Sequence, residues 1–259
     1  MKGFVEGSSR VKKVIFIIRE GVINMWKRTQ LKAKAKKVLK GNYWQAFIVS
    51  LVILITGGSH NHGEVGGSTG GTEAGNVLNF DYQVAFILGV GILLLVFLRI
   101  FIGYVLEVGG RKYFIKLSEG ESDISNLGYV FSKNSYFNVF ITMLLRSIYL
   151  ILWTLLLIIP GIIKFYAYRM VPYILADNPE IEPGKAIKLS NKMTSGEKWD
   201  IFVLDLSFLG WFILGSLALG VGILFVQPYY DATNAELYLK LRQNAIAEGL
   251  TSKEELNIR

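Results

Sequence analysis

Polar and charged side chains interrupt several long apolar stretches of this chain, and their types could carry chemistry. Eight of them form a candidate polar cluster: Arg99, Arg146, Arg169, Asp205, Gln227, Asp231, Asn234 and Tyr238. The last four recur at the spacing i, i+4, i+7 and i+11, which is one face of a helix. Because a charge in hydrocarbon costs about 2.5–3.5 kcal/mol on insertion scales, we expect this face to point into a helical bundle or a polar cavity.

The apolar stretches that must position this cluster predict an all-α fold. Residues 137–159 carry a single charge, and at about 1.5 Å per residue they are long enough to cross a hydrocarbon core of about 30 Å. Pro160-Gly161 then marks a turn into a second apolar arm. We predict a polytopic transmembrane helical bundle of about six spans: 43–56, 84–106, 137–159, 162–176, 201–219 and 223–241. Short interfacial amphipathic helices are expected at 31–40 and within 179–196.

Counting along these spans predicts which charges meet. Arg146, Arg169 and Asp231 fall near mid-depth. Arg99 and Asp205 both fall nearer the cytoplasmic side. We therefore predict that Asp231 pairs with Arg146 or Arg169. Asp205 is expected to pair with Arg99.

Two interpretations of the cluster remain open. The charges could pair with one another and fix the register of the helices. They could instead line a binding site or pathway for an anion, a proton or a lipid headgroup, which is a common role of charges inside a membrane. A dry interior is expected in the first case and a water-accessible cavity in the second.

Composition and charge limit the class of protein. The 259 residues are 52% hydrophobic and 19% charged, which is too apolar for an ordinary soluble domain. The absence of cysteine excludes disulfides, thiolate metal sites and cysteine nucleophiles. The net charge of +8 comes from Lys and Arg that flank apolar stretches, 12 of them before Asn42, so we assign it to membrane topology and not to nucleic acid.

The distribution of basic residues predicts orientation in a bacterial inner membrane. Four Lys and Arg lie in each of the segments 107–136, 177–200 and 231–259, and none lies in 57–82. Positive residues stay inside, so both termini are predicted to be cytoplasmic. Five lysines in 31–40 are expected to contact the lipid bilayer through anionic headgroups: Lys32, Lys34, Lys36, Lys37 and Lys40.

The chain divides into three parts: a basic arm 1–30, a six-span domain 31–242 and a polar tail 243–259. Two interpretations of residues 1–24 stay open. They are a basic amphipathic arm, or an extension produced by a wrongly assigned start, the true start being Met25. The glycine-rich loop 57–75 contains His60, His62 and Glu64, but without a second pair of ligands we expect no metal site there.

Several motifs together resemble a known family. They are KGNYWQAF at 40–47, PGIIKFYAYRMVPYILADNP at 160–179, the stretch from Leu189-Ser190 to Gly196-Glu197-Lys198, and FVLDLSFLGWFILGSLALGVGILFVQPYYDATNAELY at 202–238. Over about residues 30–242 the chain is similar to the bacterial integral-membrane family catalogued as domain of unknown function 975. The resemblance implies a polytopic inner-membrane protein and supplies no functional residues.

No catalytic motif accompanies these features. The chain has no phosphate-binding P-loop, no H-E-x-x-H, no G-x-S-x-G and no dinucleotide fingerprint. We therefore predict a non-enzymatic protein without a cofactor, of a transport or lipid-handling type with a charged interior. The alternative is a membrane-embedded interaction or resistance factor, or a subunit of a complex, whose inner charges are purely structural.

Overall fold

The computed structural model describes residues 26–56, 86–131 without 88, 92, 93, 95, 96 and 98, 135–217 and 220–258. The arm before Met25 and the glycine-rich loop with His60, His62 and Glu64 lie outside the described residues. Within them the chain forms helices and no strand, so the predicted all-α class is confirmed.

The α-helices of the described residues are α1 (Arg28–Leu39), α2 (Tyr43–Ile55), α3 (Tyr104–Glu119), α4 (Tyr136–Leu156), α5 (Ile158–Ala167), α6 (Val171–Asp177), α7 (Pro183–Met193), α8 (Lys198–Leu217) and α9 (Gly222–Ala247). A π-helical turn, Arg99–Gly103, leads into α3, and a 3-10 turn, Ile124–Gly128, follows it. Helix α9 is central, because α1, α2, α3 and α8 all pack against it.

Two described helices, α4 and α8, are long and apolar enough to cross a membrane. Their lengths are 21 and 20 residues, and only 28% and 22% of their most apolar windows are buried within the protein. Helices α1 and α2 make a third candidate if the pair, bent by 111°, counts as one span. The described residues therefore contain two or three candidate spans, fewer than the six predicted from the sequence.

The predicted spans that do not qualify are broken or polar. The arm 162–176 is split between α5 and α6 at a turn that contains Arg169, so neither helix alone reaches across a bilayer. The stretch 223–241 lies within α9, whose 26 residues include buried Gln227 and Asp231. The predicted end of a span at residue 106 is also wrong, because α3 continues without a break to Glu119.

Glycines let α3 sit deep in the bundle. A Cβ added at Gly109 would overlap with the backbone carbonyl oxygen of Leu127. One added at Gly110 would overlap with the side chain of Ile53 on α2. Only a residue without a side chain permits this approach on both faces. The close packing brings the polar residues of α3 against α2 and α9.

Helix α7 shows the amphipathic pattern expected from the sequence. Its buried residues are Ala186, Ile187, Leu189, Ser190 and Met193, and this face packs on α4 and α6. The opposite face exposes three lysines: Lys185, Lys188 and Lys192. Ser190 also connects the elements, because its hydroxyl donates to the Ala167 carbonyl and accepts from the Met170 amide.

Candidate functional site: buried paired charges

The first buried ion pair joins Arg111 of α3 to Asp231 of α9. The guanidinium NH1 lies 2.7 Å from Oδ1, and the two side chains are 1% and 0% exposed. Ser50 of α2 donates a hydrogen bond of 2.7 Å to the other carboxylate oxygen. Gln227, one turn earlier on α9, donates to both oxygens at 3.3 Å. The Asp231 carboxylate is thus held by three helices.

Glu107 lies one turn before Arg111 and between two arginines. Its Oε1 is 3.9 Å from Arg111 NH2 and 3.9 Å from Arg146 NH1. Arg146 on α4 also donates through Nε to the carbonyl oxygen of Tyr168, at 3.1 Å. These longer distances make the Arg146–Glu107 contact weaker than the 2.7 Å pair beside it.

The second tight pair joins Arg169 to Asp205 of α8. Both amino groups of Arg169 bind the carboxylate, with NH2 2.8 Å from Oδ1, and the Arg169 side chain is 0% exposed. NH2 also donates to Tyr230 Oη and Asn234 Oδ1, each at 2.7 Å. Tyr166 and Tyr230 donate their hydroxyls to Asp205. The two-pronged geometry fixes orientation as well as charge.

A third group links the end of α6 to α9 and α3. Tyr238 donates to Asp177 Oδ2 at 2.7 Å, and Arg242 donates to the same oxygen at 2.8 Å. The other amino group of Arg242 donates to Glu119 at 3.0 Å. Burial raises the pKa of Glu119, but hydrogen bonds and charges from Arg242 and Lys116 outweigh it, so the pKa lies below its usual value.

The predicted pairing of Asp231 is wrong. Asp231 pairs with Arg111, and neither Arg146 nor Arg169 binds it. Asp205 pairs with Arg169, which was not the partner predicted for it. The Arg99 backbone belongs to the π-helical turn, and its side chain lies outside the described residues.

Sequence reasoning missed Glu107 and Arg111, because it placed residues 107–136 in a basic segment beyond a predicted span. The depth count ended a span at residue 106, whereas α3 carries both residues into the core. The sequence did contain a signal that these two residues are buried. The two charges are spaced i, i+4 around the pair Gly109-Gly110, a pattern typical of a helix whose charged face packs closely against neighbours.

The residues of the predicted polar stripe on α9 all lie in the interior. Gln227, Asp231, Asn234 and Tyr238 are buried, but they serve three different groups: Asp231 with Gln227, Asn234 with Arg169, and Tyr238 with Asp177. Tyr173 stacks on Tyr238 with ring centres 5.2 Å apart and lies under Arg111 at the same distance. This aromatic contact joins the first and third groups.

Several buried polar atoms make no hydrogen bond within the described part of the chain. Around the first ion pair they include Glu107 Oε1, Gln227 Oε1 and the Tyr173 hydroxyl. A buried polar group without a partner costs about 1–3 kcal/mol, so each marks a place where water or a ligand atom is favourable. No group of three or more His, Asp or Glu suited to a metal ion lies among the described residues.

These features define an all-α bundle whose interior charges pair across helices. Residues 155–245 match the family model described as "Protein of unknown function (DUF975)". The family is the one that the sequence resembles, and the matched segment, shorter than the predicted 30–242, contains Arg169, Asp205 and Asp231. Arg111, Glu107 and Arg146 lie outside the match. No curated protein and no solved structure shows a significant match to the chain.

Proposed function

We propose that this chain is a non-catalytic integral protein of the bacterial inner membrane whose buried charges are structural. Its apolar surface supports the location. Leu155 is 83% exposed, Ile159 73% and Leu217 76%, all at the ends of helices α4, α5 and α8. Such surfaces are unfavourable in water and favourable in hydrocarbon. Lipid is therefore the partner that covers them.

Contacts between distant segments support a cytoplasmic C-terminus. Asn138 at the start of α4 donates to the carbonyls of Pro179 and Ile181, so the chain returns by residue 179 to the side where α4 begins. Asn178 donates to the carbonyl of Glu255, which brings the C-terminal tail to the same side. These are the segments rich in lysine and arginine, and positive residues mark the cytoplasmic side.

The observation that carries a structural role is that four interior carboxylates each lie within 4 Å of an arginine nitrogen. Four carboxylates each have an arginine: Asp231 with Arg111, Asp205 with Arg169, Glu107 with Arg146, and Asp177 with Arg242. No surplus positive charge is left among these groups to attract an anion, and no carboxylate is left unpaired to act as a base. Balanced pairs link helices and specify one packing.

A transport or lipid-handling protein is the second candidate. The unsatisfied atoms of Glu107, Gln227 and Tyr173 favour it, because a hydrated path would supply their missing partners. The two functions differ in one respect. The structural account requires that water reach the Arg111–Asp231 pair only when the bundle opens, whereas a pathway keeps that pair wet.

The accessibility of a single introduced cysteine to water distinguishes the two candidate functions. The chain has no cysteine, so Ser50→Cys places one thiol beside Asp231, and Ser195→Cys places another on the exposed surface. In native membranes we expect a water-soluble methanethiosulfonate to label residue 195 rapidly. Residue 50 is expected to react only at the rate at which the bundle opens. Rapid labelling at both positions would overturn the structural role and favour a wet pathway.

A further inference from the structure

A basic groove lies between the C-terminal parts of α1, α3 and α9. It encloses about 610 Å³. Its charged lining consists of Lys34, Lys37, Lys40, Lys240, Arg242, Glu119 and Glu236. Five basic residues face two acidic ones, which leaves three positive charges unbalanced. This surface is separate from the buried pairs, although Arg242 belongs to both.

The lysines of α1 divide between two faces. Lys32 donates to the carbonyl of Ser207 and lies 4.0 Å from the Phe208 ring centre, and Lys36 lies 5.5 Å from the ring of Tyr229. These two attach α1 to α8 and α9. The lysines at 34, 37 and 40 recur every three residues and turn to the groove.

Three of the groove cations have no carboxylate partner within the described residues. Arg242 is engaged by Asp177 and Glu119, and Lys34 lies 3.8 Å from Glu236. Lys37, Lys40 and Lys240 take part in no ion pair there. The dipole of α1 explains a lysine in its last turn, such as Lys37. It does not explain Lys240, which lies within α9 several residues before its end.

An apolar face follows the groove along the chain. Asn42 lines the groove, and the next helix begins with Tyr43 and with Trp44, which is 69% exposed. Ile48 and Ile55 are exposed on the same side of α2 as Trp44, at helical spacing. Along the chain, positive side chains are followed by tyrosine and tryptophan and then by aliphatic side chains. Membrane proteins present these residue types in the same order from the lipid headgroups to the acyl chains.

We propose that this groove is a binding site for an anionic phospholipid. The phosphate of the headgroup lies among Lys37, Lys40 and Lys240, and the acyl chains follow the exposed face of α2. The site rests on the proposed membrane location and extends it to a specific lipid. It uses none of the three pairs buried around Asp231, Asp205 and Glu107.

Two matched triple variants test the site. Lys37→Gln, Lys40→Gln and Lys240→Gln neutralise the groove, while Lys185→Gln, Lys188→Gln and Lys192→Gln remove the same charge from the exposed face of α7. Binding of fluorescent phosphatidylglycerol to the detergent-solubilised full chain is measured for each. Each lysine near an anionic headgroup contributes a factor of about five, so the groove variant should bind about tenfold to a hundredfold more weakly. The α7 variant should bind like wild type.

Three further measurements define the ligand. Phosphatidylcholine should bind wild type much more weakly than phosphatidylglycerol, and glycerol phosphate in millimolar excess should not displace the lipid. Native mass spectrometry of the purified wild-type protein should show retained phosphatidylglycerol, a result independent of any variant's folding. Equal weakening in both triple variants, or equal binding of the two lipids, would overturn the site. Displacement by glycerol phosphate would show a soluble phosphate ligand and overturn the lipid assignment.

Failure of this site is distinguishable from failure of the membrane location. Resistance of the wild-type protein to extraction by alkaline carbonate reports embedding, whichever lipid the groove prefers. A protein that stays in the pellet but shows no preference for phosphatidylglycerol retains the location and loses the site. A protein released by carbonate loses both.

Discussion

The guanidinium of Arg111 and the carboxylate of Asp231 lie 2.7 Å apart, although 120 residues separate them in the chain. Both side chains are excluded from solvent. The contact ties α3, whose close approach depends on Gly109 and Gly110, to the central helix α9. A desolvated pair of this kind fixes how two helices meet, because any slip would leave both charges buried and alone.

The geometry of Arg169 predicts that lysine cannot replace it. Lysine keeps the charge but loses the planar fork that binds Asp205, Tyr230 and Asn234 together. We expect Arg169→Lys to lower the free energy of unfolding in mixed micelles by about 2–3 kcal/mol, corresponding to the loss of hydrogen bonds from a charged group. Arg146→Lys is the matched control and should cost about 1 kcal/mol, because among the described residues its one short contact is with the Tyr168 carbonyl. Equal losses in the two variants would contradict the assigned geometry.

Close packing of α3 predicts opposite effects at two glycines. Gly109→Ala drives a methyl group into the Leu127 carbonyl, which no side-chain rotation relieves, so we expect a loss of about 1–3 kcal/mol. Gly210 on α8 has open space around it, and there alanine should be neutral or stabilise by up to about 1 kcal/mol. Chemical unfolding of both variants measures the difference. A tolerated Gly109→Ala would show that α3 does not pack as described.

The Glu119–Arg242 contact predicts a pH dependence. The pKa of Glu119 is lowered in the folded state, so its contribution to stability is present above the unfolded value of 4.5 and disappears as pH falls through the folded pKa. Glu119→Gln should therefore be less stable than wild type at neutral pH. The difference should shrink as the pH is lowered below the ordinary glutamate value of 4.5.

Thermal midpoints between pH 3 and pH 7 test this on the full chain. Glu248→Gln is the control, because it makes the same change at an exposed residue that takes part in no ion pair of the described residues. A gap between Glu119→Gln and wild type that stays constant with pH would exclude a role for the carboxylate charge.

Local patterns in the sequence were sufficient for some features and not for others. The apolar length of α4 and the buried face of α7 follow from neighbours along the chain, and the structure agrees. The predicted turn at Pro160-Gly161 is displaced, because the break falls at Leu157 and both residues lie within α5. The polar stripe on α9 could also be predicted, because helical spacing alone places Gln227 and Asp231 on one face. Such periodicity depends only on local geometry.

The pairing of charges could not be predicted from local sequence patterns. Which arginine reaches Asp231 depends on how α3 and α9 pack, and these two helices come from segments 120 residues apart in the chain. A depth count assumes straight helices of full span. The break at Arg169 and the uninterrupted course of α3 past residue 106 both violate that assumption.

The central claim, that the buried charges hold the fold together by pairing, is tested most directly by a double-mutant cycle. Asp231→Asn and Arg111→Gln are made singly and together, and the free energy of unfolding is measured in mixed micelles. Asp231→Asn with Lys188→Gln, an exposed residue on α7, gives the matched pair without contact.

Each single change strands a desolvated charge, so we expect each to lose about 3–5 kcal/mol. The double variant should recover a coupling energy of about 1–3 kcal/mol, whereas the pair with Lys188→Gln should be additive. Additive losses in the Arg111–Asp231 cycle, or single variants as stable as wild type, would contradict the account.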